Sequence, residues 1–123
     1  MKIGLIGAGR LGICLALLIE KAGYQVLASD NREDYIRSLQ NGIINTAEPE
    51  VQQYLSNANN IEFTTDNTRV IAECDIIFTL VATPSLEDGS YDVSAVWKVI
   101  DDFKNIPILL NEKSLVVGCT TNP

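Results

Sequence analysis

The segment from Lys2 to Asp30 constrains this chain more than any other. It reads Lys2-Ile3-Gly4-Leu5-Ile6, then Gly7-Ala8-Gly9-Arg10-Leu11-Gly12, then an apolar run to Ala22, then Tyr24 to Asp30. The pattern is a strand, a Gly-x-Gly-x-x-Gly turn, a helix, and a second strand that ends in an acid. Each glycine has its own mechanical role. Gly7 permits the tight turn off the strand, Gly9 lets backbone approach a pyrophosphate, and Gly12 lets the helix pack close to the sheet. Free N–H groups and the positive dipole end at the start of the helix favour phosphate there. Asp30 lies eighteen residues after Gly12, near the distance expected of a carboxylate that binds the adenine ribose hydroxyls. Three glycines alone would also fit a bare turn in an α/β domain. Their phase between strand and helix, with a terminal acid on the next strand, favours a bound dinucleotide. The candidate contacts are Gly7, Ala8, Gly9, Arg10, Leu11, Gly12, Asp30, Asn31 and Arg32.

Composition narrows the setting. With 123 residues, 46% of them apolar, the chain is long enough for one domain with its own core. A net charge of −7 and no histidine argue against nucleic acid and anionic membranes as partners. Cys14, Cys74 and Cys119 are scattered, with no Cys-x-x-Cys spacing. They make neither a zinc site nor a disulfide framework, and a reducing cytoplasm is the expected compartment. The apolar run after Lys2 is not a signal peptide, because Arg10 interrupts it and the glycines are in phase for a phosphate turn.

The remainder alternates helices with strands. Leu11 to Ala22 is apolar on nearly every face and predicts a helix buried between the sheet and its neighbours. A short helix is expected over Glu33 to Gln40, another from Glu48-Pro49-Glu50 to about Leu55, then a polar loop and a strand over Ile61 to Thr64. Asp66 or Asn67 caps a helix to about Glu73, and Asp75 to Val81 is a continuous apolar strand. A loop with Asp88-Gly89 at its turn follows. Asp92 caps the helix Val93 to about Phe103, Ile106 to Leu110 is apolar without clear type, and Leu115 to Gly118 is the fifth strand. This alternation predicts an α/β, Rossmann-type doubly wound parallel sheet in the order 3-2-1-4-5. Its ligand site lies at the switch point beyond strands one and four. Gly7 to Gly12, Ala82 to Ser85 and Cys119 to Thr121 converge there.

Beyond the glycine turn, the chain shows Glu48-Pro49, Val81-Ala82-Thr83-Pro84, Gly89-Ser90-Tyr91-Asp92 and Cys119-Thr120-Thr121. Together these resemble the N-terminal domain of the UDP-glucose/GDP-mannose dehydrogenase family over essentially the whole chain. The resemblance implies NAD as cofactor and adds Val81, Ala82, Thr83, Pro84, Cys119 and Thr120 to the candidate contacts. It also implies oxidation of a sugar C6 alcohol to a carboxylate in two hydride transfers, on a nucleotide-sugar substrate, in polysaccharide biosynthesis. By the same resemblance Thr120 positions the hydrolytic water. Its other reading is a strand-end hydroxyl that caps backbone. Cys119 stands where the family has serine and lines the cofactor rather than attacking substrate.

Two departures stand out. The family often has a basic residue five positions after the ribose acid, and this chain has Tyr35, with Arg32 nearby as a substitute. Family valine is Thr121. The family's nucleophile and base lie in later parts of its chain. Residues 1–123 are therefore expected to be an NAD-binding domain of a longer enzyme, inactive alone, with a sixth strand missing and the strand-five edge open. A homo-oligomer is expected at full length. The alternative is a stand-alone nucleotide-sensing regulator of a transport system, which shares the glycine turn and the acid. The Thr-Pro and Gly-x-x-Asp elements favour the dehydrogenase.

Overall fold

The computed structural model describes residues 1–46, 48–104 and 113–118. The apolar stretch Ile106 to Leu110 and the turn Cys119 to Thr121 lie outside the described residues. Ten elements follow in order: β1 (Lys2–Ile6), α1 (Arg10–Lys21), β2 (Gln25–Ser29), α2 (Glu33–Gln40), α3 (Pro49–Asn57), β3 (Ile61–Thr64), α4 (Asn67–Glu73), β4 (Ile76–Thr79), α5 (Ser94–Lys104) and β5 (Ser114–Val117). The five strands form one parallel sheet in the order β3-β2-β1-β4-β5. This is the doubly wound order read from the sequence.

Side chains of a strand alternate between faces, and β1 uses both. Leu5 enters a core with Ile13, Leu17, Val26, Ala28, Ile36, Leu39, Val51, Leu55 and Phe63, which joins α1, α2 and α3 to the sheet. Ile6 enters a second core with Leu27, Val70, Ile71, Cys74, Ile77 and Val99, under α4 and α5. Gly4 also faces α4. A Cβ there would come within 2.6 Å of Val70 Cγ1 and 3.0 Å of Cys74, so this unassigned glycine sets how close α4 packs.

The helix ends carry their own signals. Asp66 caps α4, its Oδ1 accepting from the Thr68 N–H at 3.0 Å. Ser94 N–H donates to Asp92 Oδ1 at 3.0 Å before α5. Pro49 stands in the first turn of α3, where its missing N–H has no cost.

Three expectations need correction. The α1 helix is not buried all round, since Leu11 is 67% and Leu18 55% exposed. A helix between sheet and solvent buries only the side that meets the sheet and α3, here Ile13, Ala16 and Leu17. The α3 helix continues to Asn57 rather than ending near Leu55, and in its last turn the Ser56 hydroxyl also donates to the Gln52 carbonyl at 3.0 Å. The β4 ladder closes at Thr79 rather than Val81, and Ile76 and Phe78 are only half-buried. At the other end, β5 pairs only with β4 and is an edge strand among the described residues, with Val116 and Val117 exposed.

Candidate dinucleotide site at the strand ends

The β1–α1 turn is held from three sides. Gly7 has φ +100°, a conformation that only glycine adopts without strain. Its N–H donates to the Ser29 carbonyl at 2.8 Å, tying the turn to the end of β2. A Cβ on Gly7 would lie 2.7 Å from the Leu80 carbonyl, and one on Gly12 would lie 2.0 Å from the Gly7 oxygen. The turn is thus clamped between the backbone leaving β4 and the first turn of α1.

Gly9 differs. A Cβ there would meet only the Arg32 guanidinium, at 3.9 Å. Its open side faces the groove rather than the fold. Gly9 is also the N-cap of α1 and offers no side-chain oxygen, and no acid lies in the helix's first turn. The first N–H groups of a helix have no partner within it. With no side-chain cap on them, they suit an outside anion.

Asp30 sits beside this turn, just past β2, with only 8% exposure. Its Oδ1 accepts from Arg32 N–H at 3.1 Å and Arg32 Nε at 2.8 Å, and its Oδ2 accepts from Arg32 Nη2 at 3.0 Å. Burial pushes the carboxyl up, but the side-chain and backbone hydrogen bonds of Arg32 outweigh it, with help from the Ala8 N–H. The net effect holds Asp30 below its ordinary range. The carboxylate is therefore ionised at neutral pH.

Tyr35 explains its own place. Its hydroxyl donates to the Ala8 carbonyl in the glycine turn. Its ring lies under the Arg32 guanidinium, 4.2 Å from the centroid, a cation–π distance. The basic residue expected at this position by resemblance is absent, and Arg32 delivers the cation from two residues after the acid instead.

The glycine turn, Asp30 and Arg32 line a groove of about 760 Å³, with Tyr35 behind Arg32 and outside its wall. Of the predicted contacts it is lined by Gly7, Gly9, Arg10, Asp30, Asn31, Arg32, Val81 and Ala82. Ala8 is buried in the core instead, and Gly12 packs on Gly7. Leu11, Thr83 and Pro84 are not in the wall. Cys119 and Thr120 lie outside the described residues. The far wall was not read from the sequence. It comes from Thr65 to Thr68 at the start of α4 and from Ala95, Lys98, Val99 and Asp102 of α5. Lys98 brings a cation to this wall. It borders the groove, within 3.3 Å of Asp102. The one available signal was the sheet order, which sets the start of α4 beside the end of β2.

The groove joins a buried acid, the open side of Gly9 and a helix start. A sequence model of the UDP-glucose/GDP-mannose dehydrogenase family, NAD binding domain, matches residues 1–123. The chain belongs to this family. The whole-chain match decides for the dehydrogenase over the transport regulator. A UDP-glucose 6-dehydrogenase of Bacillus subtilis (strain 168) is 32% identical over 124 residues, covering 95% of this chain and 27% of the relative. One of Rickettsia felis is 30% identical over 126 residues, covering 100% of this chain and 28% of the relative. The chain thus spans under a third of their length. Among solved structures, the UDP-N-acetyl-mannosamine dehydrogenase Cap5O of Staphylococcus aureus superposes with a TM-score of 0.88 at 26% identity. It covers 100% of this chain and 30% of that one. The GDP-mannose dehydrogenase of Pseudomonas aeruginosa, at 24% identity and a TM-score of 0.88, shares the fold, over 100% of this chain and 29% of that one.

Proposed function

We propose that residues 1–123 are the cofactor-binding domain of an NAD-dependent nucleotide-sugar 6-dehydrogenase of the UDP-glucose to UDP-glucuronate type. The observation that carries this reading is the Gly9 gap facing the groove beside ionised Asp30, in a chain that matches the family's NAD binding domain throughout. In this reading Gly9 and Arg10 offer backbone N–H groups to the pyrophosphate, while Gly7, whose own N–H is held by the Ser29 carbonyl, shapes the turn. Gly12 fixes the helix against the turn. Asp30 accepts from the ribose hydroxyls, while Val81 and Ala82 border the nicotinamide side, where the resemblance also implies Cys119 and Thr120.

Bound NAD supplies the hydride acceptor. Alcohol oxidation also needs a base, a nucleophile and a means to activate water. Cys74 is buried, and its thiol is pushed up to about 11, chiefly by burial. It is no nucleophile at neutral pH. The chain alone binds cofactor without turning over substrate, and the remaining chemistry belongs to a longer enzyme. That enzyme acts on a nucleotide sugar, as a homo-oligomer, in the cytoplasm. Among the described residues no helix is long and apolar enough to cross a membrane.

Calorimetric titration with NAD tests the binding claim, and absence of binding would overturn it. NADH formation from UDP-glucose by the 123-residue chain would overturn the claim that it is inactive alone.

A further inference from the structure

The Asp30–Arg32–Tyr35 cluster does more than complete the groove. An acid at the end of β2 normally separates two cofactors by one charge: it accepts from ribose hydroxyls and repels a 2′-phosphate. Here both carboxylate oxygens already accept from Arg32. The pair has no net charge to repel a phosphate with.

We propose that Arg32 sets how sharply this chain separates NAD from NADP: its guanidinium, paired with Asp30 and resting on the Tyr35 ring, cancels the repulsion and offers a 2′-phosphate a ligand. The proposal rests on the NAD reading above. Three observations carry it. Arg32 is 58% exposed while Asp30 is 8% exposed, so the guanidinium can leave the acid while the acid stays. Tyr35 gives it a platform that does not depend on Asp30, and the bond to the Ala8 carbonyl fixes that platform to the glycine turn. The planar fork of arginine matches phosphate oxygens two at a time.

The same geometry gives opposite signs for the two cofactors. Ribose hydroxyls of NAD compete with Arg32 for Asp30 Oδ1 and Oδ2. A 2′-phosphate instead gains Arg32 as a partner. Removing Arg32 therefore frees the acid for NAD and exposes NADP to the unpaired carboxylate.

The test is calorimetric titration of the chain and its Arg32→Ala variant with NAD and with NADP. The unaltered chain is expected to bind NADP within roughly tenfold of NAD. In Arg32→Ala, NADP should weaken by about 10- to 100-fold relative to NAD, the worth of lost charged hydrogen bonds. Equal weakening of both cofactors, or a preference for NAD beyond about 100-fold that the variant leaves unmoved, would overturn the proposal while leaving the NAD reading intact. A chain that binds neither overturns both. A second measurement needs no cofactor: the Asp30 carboxyl, followed by NMR, should titrate higher in Arg32→Ala, because burial then acts with less opposition. An unmoved carboxyl means no Arg32 pairing and sinks the idea.

Discussion

Gly9 and Gly12 stand three residues apart in one motif, yet the structure gives them opposite sensitivities. At Gly12 a Cβ would lie 2.0 Å from the Gly7 oxygen, a main-chain atom that cannot rotate away. Closing to an allowed contact needs a separation of about 1 Å or more between turn and helix. The turn has nowhere to go, because Gly7 already abuts the Leu80 backbone. Overpacking of this kind costs about 3 kcal/mol, the upper part of its usual range. Alanine returns about 1 kcal/mol through better helix propensity. Gly12→Ala should thus lose about 2 kcal/mol, a fall of about 6–12 °C in Tm for a domain of this size. At Gly9 the φ of −71° suits any residue, and the Cβ enters open space. Loss of a tolerable N-cap costs a few tenths to about 1 kcal/mol. Reduced freedom of the unfolded chain offsets a similar amount. Gly9→Ala should melt with the unaltered chain, and Gly9→Val should keep its secondary structure while losing NAD. Circular dichroism melts and urea titrations read the first quantity, calorimetry the second. A Gly12→Ala protein that melts within about 1–2 °C of the parent would refute the reasoning, as would a Gly9→Val protein that unfolds or still binds NAD.

Three more predictions follow from single contacts. Asp30→Ala should weaken NAD by about 1–3 kcal/mol in a titration, the value of charged hydrogen bonds left unmade; unchanged affinity would place the ribose elsewhere. Tyr35→Phe removes the hydroxyl bond to the Ala8 carbonyl but keeps the ring under Arg32, so urea unfolding should show a loss of about 0.5–1.5 kcal/mol; an unaffected midpoint would argue against the bond. Burial raises the Cys74 thiol from its ordinary 9.0 to about 11. The folded chain then holds a proton that the unfolded chain releases, so stability is complete below pH 9 and drains as pH rises toward 11, by at most about 3 kcal/mol. Cys74→Ala should flatten that alkaline loss in melts run across pH 8 to 11, and an equally steep loss would assign it to other groups.

Most of the fold was legible because its signals are local. The bounds of α2 and β3 follow from periodicity and from the breakers Asn41-Gly42 and Asn59-Asn60. Asp66 and Asp92 mark their helices by side-chain bonds to the backbone two residues on. What was not legible depends on distant partners. Gly4 reads as an ordinary strand residue, and only the closeness of Val70 and Cys74 shows why a side chain is excluded. The apolar faces of α1 look alike in sequence. Which of Leu11, Ile13, Leu17 and Leu18 is covered depends on what the tertiary packing brings against each.

The site divides the same way, and the division is physical. Backbone-binding positions are written as glycines, because only a missing side chain makes the room, so Gly7, Gly9 and Gly12 announce themselves. Asp30, the candidate ribose acid, is announced by its distance from them. The wall facing Asp30 is built from side chains of α4 and α5, whose residue types carry no such requirement. Asn67, Lys98 and Asp102 could each sit on any solvated helix. Tyr35 lies between these cases. Its place in the first turns of α2 aims it back toward the N-terminal end of that helix, where the glycine turn lies. Its chemistry, a hydroxyl on the turn and a ring under a cation, becomes legible only once Arg32 is known to lean on Asp30. Resemblance marked Tyr35 as a departure from the family. The geometry ties that departure to Arg32: the guanidinium two residues after the acid rests on the Tyr35 ring and pairs with Asp30.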